Sequence, residues 1–266
     1  MTPREFFTLY AADRRTNEIF GYETEQFPHL FCCTPRDKSR EGLVTFANLT
    51  PKRVERQIVE QINYFELVGT DFEWKVYEFD EPTDLVSRLE AHGFRAGHTE
   101  ALLACPLHDV PAPLVDISAG FHVQHIDTEA GIADLIAIQS AVWNEDFSTV
   151  HADLLRAMKL EPDTFSFYCA YDSNDKVIGS GYSHYPRGSR FPELLGGAVD
   201  HAWQGKGVFR AITRTRLIEA RDRMFEYVTT DATHMNYTVL EKMGFHMICH
   251  TKPLHKKAPP PRHAGD

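Results

Sequence analysis

Val199-Asp-His-Ala-Trp-Gln-Gly-Lys-Gly-Val-Phe-Arg-Ala-Ile212 is the stretch on which the fold turns. An apolar strand enters it and a helix leaves it, with Gly205 and Gly207 at the junction. Glycine lets successive backbone N–H groups face one concavity and lets a ligand come close to the chain. Those N–H groups, with the helix dipole behind them, favour a phosphate. Two familiar phosphate loops do not fit. The dinucleotide fingerprint needs a third glycine where Arg210 stands, and the P-loop needs Ser or Thr where Gly207 follows Lys206.

Working outward, the flanks alternate between strand and helix periodicities. Gly120 to Ile126 reads as a strand, and apolar residues at helical spacing from Glu129 to Trp143 read as a helix capped by Asp127-Thr128. A short helix is expected over Leu154 to Leu160. Phe165 to Tyr171 and Lys176 to Tyr185 form a hairpin about the turn Asp172-Ser-Asn-Asp175. Glu193 to Val199 is a strand, interrupted by Gly196-Gly197, and glycines inside a strand mark a bulge or a close backbone approach. A helix over about Val208 to Met224, a strand from Tyr227 to Thr230, a helix ending at Met243 before Gly244, and a strand from His246 to Thr251 follow. Hairpins followed by strand–helix–strand units imply a mixed α/β sheet.

The chain also repeats itself. Leu89-Glu-Ala-His-Gly-Phe94 returns as Leu240-Glu-Lys-Met-Gly-Phe245, with Phe72-Glu73-Trp74 upstream of the first copy and Phe225-Glu226-Tyr227 upstream of the second. His98-Thr99 and His250-Thr251 follow. The repeat implies two related domains, 1–108 and 116–255. Between them the proline-rich run from Pro106 to Pro113 disfavours helix and central strand, which places a linker at 109–115. The apolar-poor end, 256–266, with Pro259-Pro-Pro261, reads as a disordered tail.

Gln204-Gly-Lys-Gly-Val-Phe209 resembles the pyrophosphate loop of the GNAT acyltransferase superfamily, written Q/R-x-x-G-x-G/A. Thr230-Asp-Ala-Thr233 with Leu240-Glu-Lys-Met-Gly-Phe245 is similar to that family's next block, so the resemblance covers about 120–252. Phe209 departs from the pattern, standing where a glycine is frequent. The resemblance implies a GNAT-like mixed α/β fold and acetyl-CoA as cosubstrate. Val199, Gln204, Gly205, Lys206, Gly207, Val208, Phe209 and Arg210 would bind it. It implies transfer of the acyl group to an amine. Glu193, at the start of the strand that lines the acyl site, is the first candidate base, with Asp200, His184 and Asp231 behind it. Many GNAT enzymes carry a tyrosine acid where this chain has Leu240; Tyr237, nearly one turn earlier, is the substitute candidate. The half 1–108 has no glycine pair in Val44-Thr-Phe-Ala-Asn-Leu-Thr50 and reads as a degenerate GNAT-like copy.

The composition agrees and excludes other classes. The 266 residues carry 28 Lys+Arg against 38 Asp+Glu, a formal charge of −10. That balance disfavours sequence-independent nucleic-acid binding and anionic lipid. No apolar run reaches a membrane span, and no signal-peptide core opens the chain. Five cysteines at irregular spacing read as reduced thiols in a cytoplasmic protein. His92, His98, Cys105 and His108 match no ligand spacing, so no metal is expected. The acceptor is read as a small-molecule or peptide amine, and a homodimer is left open. A non-catalytic acyl-CoA sensor and an aminoacyl transferase are the alternative functions.

Overall fold

The computed structural model describes residues 1–17, 19–110 and 120–258. Most of the expected linker, and the tail beyond residue 258, lie outside the described residues. The chain divides into two compact units, one of Met1–Leu102 with Met247–Asp266 and one of Leu103–His246. This division falls within a strand before the expected linker, and it counts the last strand with the first unit.

In the first unit, α1 (Pro3–Thr16) precedes the antiparallel β1 (Tyr22–Phe27), β2 (Leu30–Pro35) and β3 (Gly42–Thr45). A crossover helix, α2 (Val54–Val68), leads to β4 (Phe72–Tyr77), parallel to β3, and then come α3 (Leu85–Ala91), β5 (Arg95–Ala96) and the start of β6 (Glu100–Pro106), which passes into the second unit at Leu103. α1 was not anticipated, although Thr2 and Glu5 form a reciprocal capping box at its start. Trp74, Phe65, Phe72 and Ile58 are fully buried in the core, where Phe65 stacks on Phe72 at 4.3 Å.

The second unit holds β7 (Phe121–Ile126), α4 (Glu129–Trp143), α5 (Ser148–Leu160), β8 (Phe165–Asp172), β9 (Val177–His184), β10 (Glu193–Val199), α6 (Val208–Asp222), β11 (Tyr227–Ala232) and α7 (His234–Glu241). β7, β8, β9 and β10 form an antiparallel meander, and β11 returns parallel to β10 after α6. The mixed α/β class is as expected. α5 begins six residues earlier than the periodicity indicated, because Asp146 accepts both the N–H and the hydroxyl of Ser148 at 2.9 and 3.2 Å. α6 is tied to the sheet by Glu219, which accepts the hydroxyls of Ser166 (2.5 Å), Tyr168 (2.8 Å) and Tyr185 (2.9 Å) and pairs with Arg223 (2.7 Å).

The two copies of the repeat have the same local structure. Phe94 N–H donates to Leu89 O, and Phe245 N–H to Leu240 O, both at 3.1 Å. Gly93 and Gly244 take left-handed φ values of 82° and 95°. Both leucines and both phenylalanines are buried. This is a helix ending on glycine, with a hydrophobic pair across the turn. The strands that follow are exchanged in sequence. β12 (His246–Lys256), at the end of the chain, pairs antiparallel with β4 in the first unit, from Thr251 opposite Tyr77 to Lys256 opposite Phe72. β6, whose end lies in the second unit from Leu103, neighbours β11.

Asp80, only 5% exposed, accepts the Tyr77 N–H at 3.0 Å. Burial pushes its carboxyl up to about 8, against the pull of the Tyr77 and Ala47 amides and the Arg15 charge. A carboxyl raised by folding contributes fully below its unfolded value near 4, and that contribution is lost as pH rises through 8. Asp80→Asn, always neutral, is therefore expected to gain stability over the wild type between pH 4 and pH 8, on the order of a few kcal/mol. Urea unfolding at both pH values checks this, and an equal difference at both would refute it.

Candidate functional site

β10 and β11 are held in parallel register by one pair, Glu193 with Thr229. Thr229 N–H donates to Pro192 O, and the Thr230 hydroxyl to Leu194 O, both at 2.8 Å. Beyond these, no further ladder pair joins the two strands among the described residues. The corresponding strands of the first unit, β3 and β4, pair at four positions from Gly42–Phe72 to Thr45–Lys75. After β3, Phe46 stacks on Tyr77 at 5.0 Å and is buried, and Phe7 and Tyr10 of α1 pack around them. The second unit thus has parted strands where the first has a zipped and plugged pair.

Along its other edge, β10 loses register with β9 between Leu195 and Ala198. The expected interruption at Gly196-Gly197 is a bulge. Gly196 has a φ of 61°, and a Cβ there would lie 2.4 Å from the Tyr182 ring and 2.5 Å from the Gln139 amide. A Cβ on Gly197 would come within 3.1 Å of the Phe209 ring. Glycine is required at 196 by both conformation and space.

β10 ends at Val199, which is buried, and the chain turns through His201–Trp203 into the glycine loop. Gly205 and Gly207 have φ values of 74° and 89°. A Cβ on Gly205 would meet nothing within 4 Å. Gly207 is the N-cap of α6, so no side chain caps that helix. Val208, Phe209 and Arg210, the first three residues of α6, have N–H groups with no acceptor within the helix. The first turn carries no acidic residue. Lys206 and Arg210 are exposed, and the Lys206 ammonium lies 4.9 Å from the Trp203 ring centroid. Gln204 donates to Val199 O at 3.5 Å and contacts His201 Nδ1 at 3.2 Å, bracing the turn. The result is an open, positively biased helix terminus beside two parted parallel strands.

No protein-family model matches the sequence, and no curated protein matches it. Solved structures do. A GCN5-related N-acetyltransferase from Kribbella flavida is similar over 97% of this chain and 96% of its own, with a TM-score of 0.70 at 13% identity. A GCN5-related N-acetyltransferase from Sphaerobacter thermophilus is similar over 87% of this chain and 78% of its own, with a TM-score of 0.64 at 14% identity. A tandem GNAT protein from the clavulanic acid biosynthesis pathway is similar over 87% of this chain and 79% of its own, with a TM-score of 0.60 at 14% identity. The chain has the GNAT fold.

Within this GNAT fold, Glu193 sits in a row running across four strands: Phe165, His184, Glu193 and Thr229 are lateral neighbours. Side chains opposite one another share a face. Glu193 Oε2 lies 4.0 Å from His184 Nδ1, and the His184 ring stacks on Phe165 at 4.4 Å. Asp200 is committed elsewhere. The Ala202 amide and then Lys176, at 3.1 Å, hold its carboxyl below the usual range, which makes it a poor base. Asp231 is exposed on β11. Tyr237 is partly buried on α7 and donates to Glu241 Oε1 at 3.4 Å, while Leu240 is buried in the turn that ends the helix.

Sequence reasoning missed Gln139 and Arg216. Each occupies a buried stripe: Ile132, Leu135 and Gln139 on α4, and Val208, Ile212 and Arg216 on α6. A polar residue at an apolar position was the available signal. Among the described residues, Glu41, Glu73 and His255 of the first unit are the one set with ligating atoms within 4.8 Å of one another. His92, His98, Cys105 and His108, close in sequence, form no such set among the described residues. No described helix is long and apolar enough to cross a membrane.

Proposed function

We propose that the protein is an acyl-CoA-dependent N-acyltransferase that moves a short acyl group, acetyl first, to a small-molecule or peptide amine. The observation that carries this reading is the uncapped, glycine-lined start of α6 beside the parted ends of β10 and β11. The N–H groups of Val208, Phe209 and Arg210, which have no acceptor within the helix, fit a pyrophosphate, which needs several donors and a positive end of a dipole. Gly205 leaves that space clear. Lys206 and Arg210 add local positive charge to a chain that is acidic overall. The unpaired edge of β10 down to Val199 fits an extended, amide-containing arm, which pairs as a strand would.

In the reaction the amine lone pair attacks the thioester carbonyl carbon and the C–S bond breaks. The amine must be neutral to attack, so Glu193 takes its proton. A backbone N–H of the β10 bulge stabilises the oxygen as it gains charge. The departing thiolate takes a proton from Tyr237 or from solvent. The buried Leu240 and the engagement of Tyr237 with Glu241 favour a second reading, a protein that binds acyl-CoA without turnover.

A thiol-release assay with acetyl-CoA and a panel of amines, amino acids and peptides separates the two. Release of CoA dependent on at least one amine is the expected result. Binding without release across the panel supports the second reading, and the absence of binding to any CoA ester refutes both.

A further inference from the structure

We propose that Gln139 and Arg216 are positioning residues for acyl transfer, which fix the two peptide planes of the β10 bulge from opposite faces of the sheet. This rests on the acyltransferase reading above and deepens it.

Gly196 and Gly197 have no partners in the β9 register, so the ladder does not orient their peptide groups. Two side chains supply what the ladder lacks. Arg216 Nη1 donates to Leu195 O and to Tyr182 O, both at 3.1 Å. Gln139 Nε2 donates to Gly196 O at 3.0 Å, and the Ser180 hydroxyl adds a longer bond at 3.4 Å. The two donors approach from different sides. A Cβ on Gly179 or Gly181 of β9 would strike Val208 or Arg216, so these residues face α6. Ser180 and Tyr182, which alternate with them, face the other way, toward Gln139 of α4.

The consequence follows from peptide geometry. In a trans peptide the C=O and the N–H point in opposite directions. Holding Leu195 O toward Arg216 aims the Gly196 N–H away from α6. Holding Gly196 O toward Gln139 aims the Gly197 N–H away from α4. Both N–H vectors of the bulge are thus fixed by side chains, before any ligand binds, which is the condition for stabilising charge that develops on a thioester oxygen.

Stability alone gives no reason for this arrangement. Arg216 is 2% exposed, and its Nε has no partner. Burial pulls its guanidinium down to about 10. A buried charge bonded to carbonyl oxygens is costly, and an apolar residue would complete the stripe of Val208 and Ile212 without that cost.

The test uses Gln139→Leu and Arg216→Met, which remove the donors at similar size, and Arg216→Lys, which restores one. Turnover is measured with acetyl-CoA and whichever amine supports thiol release. Affinity is measured by calorimetry with CoA itself, which has no thioester carbonyl. The expected result is a kcat about 10- to 100-fold lower in the first two variants, CoA affinity within about twofold of wild type, and partial recovery in Arg216→Lys. Unchanged kcat in both variants overturns the proposal while the acyltransferase reading stands. A parallel loss of CoA affinity also overturns it, since a disordered site would lose both. If Arg216→Met does not fold, Gln139→Leu decides. A wild type that neither binds CoA nor releases thiol overturns both readings together.

Discussion

Gly207→Val is expected to weaken CoA binding by at least about 100-fold while leaving the protein folded. Gly207 has φ 89° and ψ −2°, a conformation that a β-branched residue avoids. Valine either keeps the loop at a strain of about 1–2 kcal/mol or escapes to negative φ. Escape turns the loop peptides and scatters the N–H groups of Gly205 to Phe209. Hydrogen bonds to a charged group are worth about 1.5–3 kcal/mol each, so losing two is enough for a 100-fold change. The strain itself lowers the melting temperature by only a few degrees in a chain of this size. Gly69→Val is the control. Gly69 has a φ of 77° at the end of α2, and a Cβ there meets nothing within 4 Å. It carries the same conformational cost away from the glycine loop. Calorimetry should show a Tm loss in both variants and an affinity loss only in Gly207→Val. Equal CoA affinity in the two would remove the loop from the binding site.

The glycine loop was legible because its signal is local. Two glycines between a strand and a helix fix a turn whatever surrounds it. The repeat was legible for the same reason: Leu89 to Phe94 and Leu240 to Phe245 each close one helix with bonds inside six residues. α4 was readable to its ends because Thr128 caps it and Asn144, at φ 54°, stops it. What the sequence withheld is non-local. The last strand was expected over His246 to Thr251, and beyond it stands Pro253, which cannot donate to a ladder. In the fold the strand continues to Lys256, with Pro253 opposite Lys75 and its carbonyl accepting the Gly97 N–H at 2.9 Å. Pairing of the last strand with β4 depends on partners about 180 residues away, and no local pattern encodes that. Gln139 and Arg216 were hidden in a different way. Their positions look like core, and the bulge carbonyls that give them a role become visible only once β9 and β10 are in register.

The two units show what one wiring can be made to do. β3–α2–β4 and β10–α6–β11 have the same order and the same parallel return. In the first, a full ladder and the ring of Phe46 on Tyr77 fill the place where strands would part. In the second, the bulge and the single Glu193–Thr229 pair keep it open. A ligand site on this wiring therefore needs packing that is deliberately left incomplete.

Glu193 stands at the closed end of that opening, and its replacement carries the other large expected effect. Glu193→Gln keeps the size and the strand position but cannot accept a proton. General base catalysis contributes about 10²- to 10⁴-fold, so kcat/KM for the amine at pH 7 should fall by that range, with CoA affinity unchanged. The pH dependence separates this role from a structural one. An aliphatic amine is mostly protonated at pH 7 and increasingly neutral above pH 9. Help from Glu193 in deprotonation matters less as the free amine accumulates, so the deficit of the variant should shrink with rising pH. A structural defect would give a constant deficit. His184, 4.0 Å away and held against Phe165, is the competing acceptor of the proton. If His184 or bulk solvent were the base, Glu193→Gln would keep turnover within about threefold at pH 7. A deficit that is large and pH-independent would leave Glu193 in the sheet but remove it from the chemistry.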